Sequence, residues 1–275
     1  MSVKKPATKS RAPSGILLVG CGKMGGALLA GWKKRPNAET IAVIEPMAVA
    51  TPKGVKRYAA ITALPKNFSP AVVVFAVKPQ SLAEALPAYL RYADKAVFLS
   101  IAAGKTLRFF ARHLGASAAV VRTMPNTPAA IGRGITVACA NSGVTAGQKK
   151  LCGRLLKAAG EVAWIDDEAL LDPVTAVSGS GPAYVFLLIE ALAEAGIAAG
   201  LPRDLALRLA RATVAGSGEL ARQSSDEASQ LRKNVTSPGG TTEAALKVLM
   251  ADNGLEALMR RAIAAATARS RELAD

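Results

Sequence analysis

The sequence predicts an α/β fold, a doubly wound and mostly parallel sheet followed by a second, all-helical domain. Three observations carry the prediction. Short β-branched runs alternate with helical patterns from residue 15 to about residue 165, the strand signal then stops, and the glycine spacing Gly20-x-Gly22-x-x-Gly25 directly follows the first run.

The strand candidates are ILLVG (16–20), TIAVIE (40–45), AVVVFAV (71–77), AVFLSI (96–101), AAVVRTM (118–124), ITVACA (135–140) and EVAWI (161–165). Continuous apolar runs of this kind suit strands covered on both faces, and strands alternating with helices build a parallel sheet. After Asp166 the chain turns to Ala- and Leu-rich helical segments with clear punctuation: Pro182 in a first turn, Gly200 just past a helix end, Pro202 opening the next. The expected organisation is a disordered tail over 1–14, rich in Lys, Ser, Ala and Pro, a sheet domain over 15–166, and a helical domain over 167–275.

Composition narrows the function classes. Apolar residues make up 51% of the 275 and aromatic residues 4%, enough for an interior of Ala, Val, Leu and Ile. The formal charge of +15 invites a nucleic-acid reading. Acidic residues are interspersed with the basic ones, and no aromatic residues interleave as a base-stacking platform requires, so no nucleic-acid partner is expected. Cys21, Cys139 and Cys152 form no CxxC pair and no even-numbered framework, which argues against structural metal and disulfides and for a reducing cytoplasm. The apolar stretch 182–201 carries Glu190 and Glu194, against a membrane span, and the basic start before GILLVG reads better as a strand and glycine turn than as a secretory signal.

The glycine turn is the first feature that carries chemistry. Its first glycine permits a tight turn, the second lets a pyrophosphate approach the backbone, and the third lets helix and strand pack closely. The following pattern KMGGALLAGW puts a helix N-terminus, with free N–H groups and a favourable dipole, at the phosphates. In a strand–turn–helix setting this reads as a dinucleotide site, with a chance loop or another phosphate site as the competing reading. Glu45, ending the second run, is placed to accept hydrogen bonds from an adenosine ribose, with a solvated strand-end carboxylate as the competing reading. AVKPQ (76–80) turns the chain at the carboxyl edge of the sheet, where ligands of open α/β sheets bind; alone it is equally a plain loop.

With VRTMPNTPAAIGRG (121–134), VSGSGPAYVF (177–186) and VTSPGGTTEAAL (235–246), taken in order with GCGKMGG, AVKP and SIAAG (100–104), the sequence resembles the pyrroline-5-carboxylate reductase family. The resemblance covers nearly the whole chain except the tail. It implies a Rossmann-type domain, an all-helical domain through which two subunits interlock, assembly as a dimer or ring of dimers, and NAD(P)H-dependent reduction of the C=N bond of Δ1-pyrroline-5-carboxylate to proline. Carried over residue by residue, the cofactor contacts are Gly20, Gly22, Lys23, Met24, Gly25, Ala76, Val77, Lys78 and Pro79, with Met124 near the nicotinamide; Glu45 joins them from its place at the end of the second run and not from the resemblance. The substrate contacts are Ser237, Gly239, Gly240, Thr241, Thr242 and Asn126. The pattern departs where many relatives carry His-Pro ahead of the SPGG segment, since Glu227-Ala228 and Lys233 stand there.

The substrate's carboxylate needs an anion site, and Ser237–Thr242 precedes the helical pattern EAALKVLM, which puts glycines and N–H groups at a helix start. An ordinary Ser/Thr-capped loop is the competing reading. Thr242 is the candidate catalytic hydroxyl, set to orient the ring nitrogen, with helix capping as its other role. Hydride addition to a protonated imine yields a neutral amine, so no motif histidine is needed, and His113 reads as structural or solvated. The rival readings are a hydroxy-acid dehydrogenase, which needs a general base that no motif nominates, and a dinucleotide-binding regulator. Either NADH or NADPH fits; Glu45 favours NADH, because a 2′-phosphate beside its carboxylate brings like charges together.

Overall fold

The computed structural model describes residues 14–34 and 40–274. The expected tail therefore lies, but for Ser14, outside the described residues. Two compact units are formed: one of the residues up to Val174 together with those from Ser270 onward, the other Thr175–Arg269.

The first unit is built on an eight-stranded sheet of β1 (Gly15–Val19), β2 (Thr40–Ile44), β3 (Lys56–Tyr58), β4 (Pro70–Phe75), β5 (Val97–Ser100), β6 (Val120–Met124), β7 (Gly134–Ala140) and β8 (Gly160–Ile165). Their order is β3-β2-β1-β4-β5-β6-β7-β8. Neighbours are parallel except β6 and β7, so β7 and β8 run against the other six. This is the doubly wound, mostly parallel sheet that the sequence predicts. The exception to the strand reading is β3, an edge strand of sequence Lys-Arg-Tyr with no apolar pattern to announce it.

Each central strand is buried on both faces, which is why it reads as a continuous apolar run. Successive side chains alternate between two cores. Ile16, Leu18, Val43, Val74, Leu99 and Val121 face one core, with Leu28, Leu29 and Trp32 of α1 (Lys23–Lys33). Leu17, Val19, Val73, Phe75, Phe98 and Val120 face the other, with Leu82 of α2 (Leu82–Ala85) and Phe110 of α3 (Leu107–Leu114). Burying one such side chain stabilises the fold by about 1.5–3 kcal/mol. The helices are started by their own sequences: Thr106 Oγ1 accepts the Phe109 N–H at 3.1 Å, and Thr145 with Gln148 forms a capping box on α4 (Ala146–Leu156).

Beyond β8, α5 (Leu171–Val174) still belongs to the first unit, as does the end of α10 (Leu255–Glu272), and the second unit is helical: α6 (Gly181–Ala198), α7 (Arg203–Gln223), α8 (Ala228–Asn234), α9 (Thr241–Leu249) and most of α10. Pro182 lies in the first turn of α6, Gly200 after it has φ 98°, and Pro202 caps α7. The helical stretch 168–198 is long and apolar enough to cross a membrane by length and composition. Val185, Phe186, Leu187 and Leu188 on α6 are exposed in the single chain.

Candidate active site

All six strands from β3 across to β6 end at one edge of the sheet, and the glycine turn lies there between β1 and α1. Gly20 has φ 89°, and a Cβ on it would stand 2.6 Å from the Ala76 carbonyl oxygen. A Cβ on Gly25 would stand 2.5 Å from the Gly20 carbonyl oxygen, so this third glycine is what lets α1 start against the turn. Gly22 differs from both. A Cβ there would meet nothing within 4 Å, so the open space at this glycine belongs to whatever approaches the turn.

Gly22 is also the N-cap of α1; it has no side chain to bond the first-turn N–H groups, and that turn carries no acidic residue. An open cradle under an uncapped helix start fits the pyrophosphate of a dinucleotide. Lys23 is exposed beside it and Met24 half-buried. The Ala76 N–H donates to the Val19 carbonyl at 2.7 Å, which brings Ala76 and Val77 against Gly20, with Lys78 and Pro79 following in the chain; Val77 Cγ1 would be 2.9 Å from a Cβ on that glycine.

At the end of β2, Glu45 Oε2 accepts the Cys21 N–H at 2.8 Å and Oε1 accepts the Met47 N–H at 3.1 Å. The acidic residue thus reaches the middle of the glycine turn. Burial and the neighbouring Glu45 carboxylate both push the Cys21 thiol up from its ordinary range, so Cys21 stays protonated and acts as a small apolar lining.

Met124 ends β6 at the same sheet edge, three strands from β1. Asn126 follows in extended conformation, and its Oδ1 accepts the Ile135 N–H at 3.0 Å, tying the MPNTP loop to the start of β7. Below this loop, Arg122 is buried and its Nη1 donates to Glu168 Oε1 at 2.6 Å; the same oxygen accepts the Leu107 N–H at 2.7 Å. Sequence reasoning passed over this pair, whose members are 46 residues apart. His113 Nδ1 lies 2.9 Å from the Phe109 carbonyl within α3, a local helix contact.

The second cluster belongs to the helical unit. Gly240 caps α9 without a side chain, Gly239 has φ 70°, and the Gly240 N–H donates to the Ser237 carbonyl at 3.0 Å. The loop Ser237–Gly240 therefore closes on itself and delivers Thr241 and Thr242 into the first turn of α9, where N–H groups have no acceptor one turn earlier. Glu243 Oε2 accepts the Gly239 N–H at 2.8 Å. This carboxylate, also unforeseen from the sequence, shapes the loop from inside the helix; an acid four residues after the glycine was its readable signal. The residues expected to hold a cofactor thus lie in the sheet unit, and Ser237, Gly239, Gly240, Thr241 and Thr242 lie in the helical one.

Residues 168–273 match the family model for the pyrroline-5-carboxylate reductase dimerisation domain. A pyrroline-5-carboxylate reductase of Pseudomonas aeruginosa is 42% identical over 269 residues, spanning 94% of this chain and 97% of that protein. The chain belongs to the pyrroline-5-carboxylate reductase family. A reductase of Synechocystis is 39% identical over 93% of the chain. Among solved structures, the reductase of Coxiella burnetii superposes with TM-score 0.87 at 33% identity, covering 95% of this chain and 99% of that one. That of Plasmodium falciparum, solved with NADP bound, gives 0.80 at 30% identity over 95% and 98% of the two chains. The reductase fold thus accounts for both units, and the helical unit coincides with the family's dimerisation region.

Proposed function

We propose that this chain is a pyrroline-5-carboxylate reductase, which reduces Δ1-pyrroline-5-carboxylate to proline with NAD(P)H. The observation that carries the reading is the open cradle at Gly22 beneath the uncapped start of α1, in a chain similar to these reductases over 94% of its length. Gly20, Gly22, Lys23, Met24 and Gly25 would hold the pyrophosphate, Glu45 the adenosine ribose, and Ala76–Pro79 with Met124 the nicotinamide half. When bound, the reduced nicotinamide supplies a hydride.

The substrate side falls to the α9 loop. Gly239 and Gly240 let a carboxylate approach the backbone, and the first-turn N–H groups of α9 stabilise its charge with the helix dipole. Ser237 and Thr241 add hydroxyl donors, and Asn126 is the substrate contact proposed on the sheet unit. Thr242 bonds the ring nitrogen through its hydroxyl and fixes which face of the C=N carbon is presented. As that carbon gains the hydride, the C=N π pair passes to the protonated nitrogen, leaving a neutral secondary amine. No side chain has to deliver a proton in this step, so rate enhancement rests on holding the reactants in contact, an effect that can be worth about 7–11 kcal/mol.

Two copies associate through the helical unit, in line with the family match over 168–273 and the exposed apolar side chains of α6. The apolar stretch 168–198 is then a subunit contact rather than a membrane span, and the protein is cytoplasmic, binds no nucleic acid and builds rings from dimers. The hydroxy-acid dehydrogenase and the regulator are disfavoured by the same similarity. Incubation with pyrroline-5-carboxylate and with a panel of small hydroxy acids separates these readings: NAD(P)H consumption with proline formed mole for mole supports the reductase, and turnover of hydroxy acids alone overturns it.

A further inference from the structure

Arg57 lies on the edge strand β3 and has no part in the reading above. Its Nη1 donates to the Glu45 carbonyl at 2.8 Å and the Met47 carbonyl at 3.1 Å, with the Pro46 carbonyl at 3.5 Å. One guanidinium nitrogen thus gathers three consecutive carbonyls and bends the chain into a tight turn just past β2. Further bonds hold the turn. The Glu45 N–H donates to the Tyr58 carbonyl at 3.0 Å, and the Glu45 carboxylate spans the N–H groups of Cys21 and Met47.

A carboxylate has about four acceptor positions, and two are used here by backbone N–H groups. The other two suit a pair of donors such as vicinal ribose hydroxyls. A 2′-phosphate offers acceptors and negative charge at that place, so it is repelled by the same carboxylate. This discrimination works only while the carboxylate is fixed. Lys53, exposed in the loop before β3, and the outer nitrogens of Arg57 are the cations that could oppose it.

We propose that Arg57 is a positioning residue for cofactor selectivity: by clamping the Glu45–Met47 turn it holds the Glu45 carboxylate as a reader of ribose hydroxyls and biases the enzyme toward NADH over NADPH. The inference rests on the reading of the glycine turn as a dinucleotide site. The clamp acts on the turn through the backbone carbonyls, to which Nη1 is committed. Replacing Arg57 frees the carboxylate to swing, which weakens the hydroxyl contacts and relieves the repulsion together.

The test uses Arg57→Met, Arg57→Lys and Glu45→Ser in the full chain, with calorimetric binding of ADP-ribose and of 2′-phospho-ADP-ribose, and kcat/KM for NADH and NADPH. Expected for Arg57→Met is ADP-ribose binding weaker by about fivefold, the range of one or two lost hydrogen bonds, 2′-phospho-ADP-ribose binding unchanged or tighter, and a parallel fall in the NADH:NADPH ratio. Arg57→Lys, which keeps the charge but not the fork, should fall between. An unmoved ratio, or a larger loss for the phosphorylated ligand, overturns the proposal, the latter by making Arg57 a phosphate contact. If Arg57→Met does not fold, Arg57→Lys decides by the same criterion. If Glu45→Ser shifts the ratio but the Arg57 variants do not, the clamp is wrong and the site reading stands. If the wild type binds neither ligand, the dinucleotide reading fails with it.

Discussion

Glu45 Oε2 and the Cys21 N–H, 2.8 Å apart, join the end of β2 to the middle of the glycine turn. The bond crosses 24 residues of sequence. It makes the turn and the carboxylate proposed to read the ribose a single preformed element, and several expectations depend on that element being rigid before any ligand arrives.

The three glycines should separate by experiment. Gly22→Ala enters open space, so thermal stability should hold while dinucleotide binding falls. Gly25→Ala collides with the Gly20 carbonyl and should cost about 1–3 kcal/mol of stability. Thermal melts with and without NADH check both. An equal loss of stability in the two variants would mean that the cradle at Gly22 is structural.

On the helical unit, Thr242→Ala should lower kcat by about 2- to 10-fold, the worth of one hydrogen bond, with little change in cofactor affinity. Gly240→Val should raise the substrate KM sharply, because a Cβ there would stand 3.1 Å from the Ser237 carbonyl oxygen and the larger side chain would displace the loop proposed to receive the carboxylate. Steady-state kinetics with substrate and cofactor varied independently distinguish the two. Unchanged constants in both variants would remove α9 from the site.

Phe186 is 59% exposed in the single chain and lies on α6 inside the family's dimerisation region. Phe186→Glu places a charge in that contact and should shift the protein from dimer toward monomer, with loss of activity in proportion. Light scattering at micromolar concentration reads the change. A wild-type monomer would contradict the expected association outright.

Cys152 is fully buried, and burial pushes its thiol up from 9.0 to about 12. A raised folded-state value means that the native state keeps its proton where the unfolded chain loses it. The resulting contribution is complete below about pH 9 and declines toward pH 12, by up to about 1.4 kcal/mol per pH unit. Urea melts of wild type and Cys152→Ala at about pH 8 and about pH 10.5 should show the steeper alkaline loss in the wild type. Parallel losses would assign the alkaline effect to other groups.

Much of this was legible because strands buried on both faces must be written as apolar runs: Leu17, Leu18, Val73, Val74, Phe98 and Leu99 announce themselves whichever core they face. β3 was not legible, since Lys56-Arg57-Tyr58 is an edge strand with two exposed charges and its role lies in backbone pairing with β2. Glycine and acid spacing made the Gly20–Gly25 turn and Glu45 readable as candidates. The partners of those residues were not, because Arg57 acts on carbonyls and Arg122 meets Glu168 only after β6 and the chain beyond β8 have come together. For Asn126 the structure adds a bond to the Ile135 N–H that no local pattern encodes. The assignment of Ser237–Thr242 to substrate came from resemblance, and physical chemistry supplied the reason that a glycine-capped helix start suits a carboxylate.

The most direct test of the whole account is a steady-state assay of the pure, folded protein with Δ1-pyrroline-5-carboxylate and NADH or NADPH, following nicotinamide oxidation and proline together. The expected result is saturable oxidation with one proline formed per cofactor consumed, with either cofactor in the wild type and with a sharply raised substrate KM in Gly240→Val. Absence of turnover in a protein that binds NADH and scatters light as a dimer would contradict it.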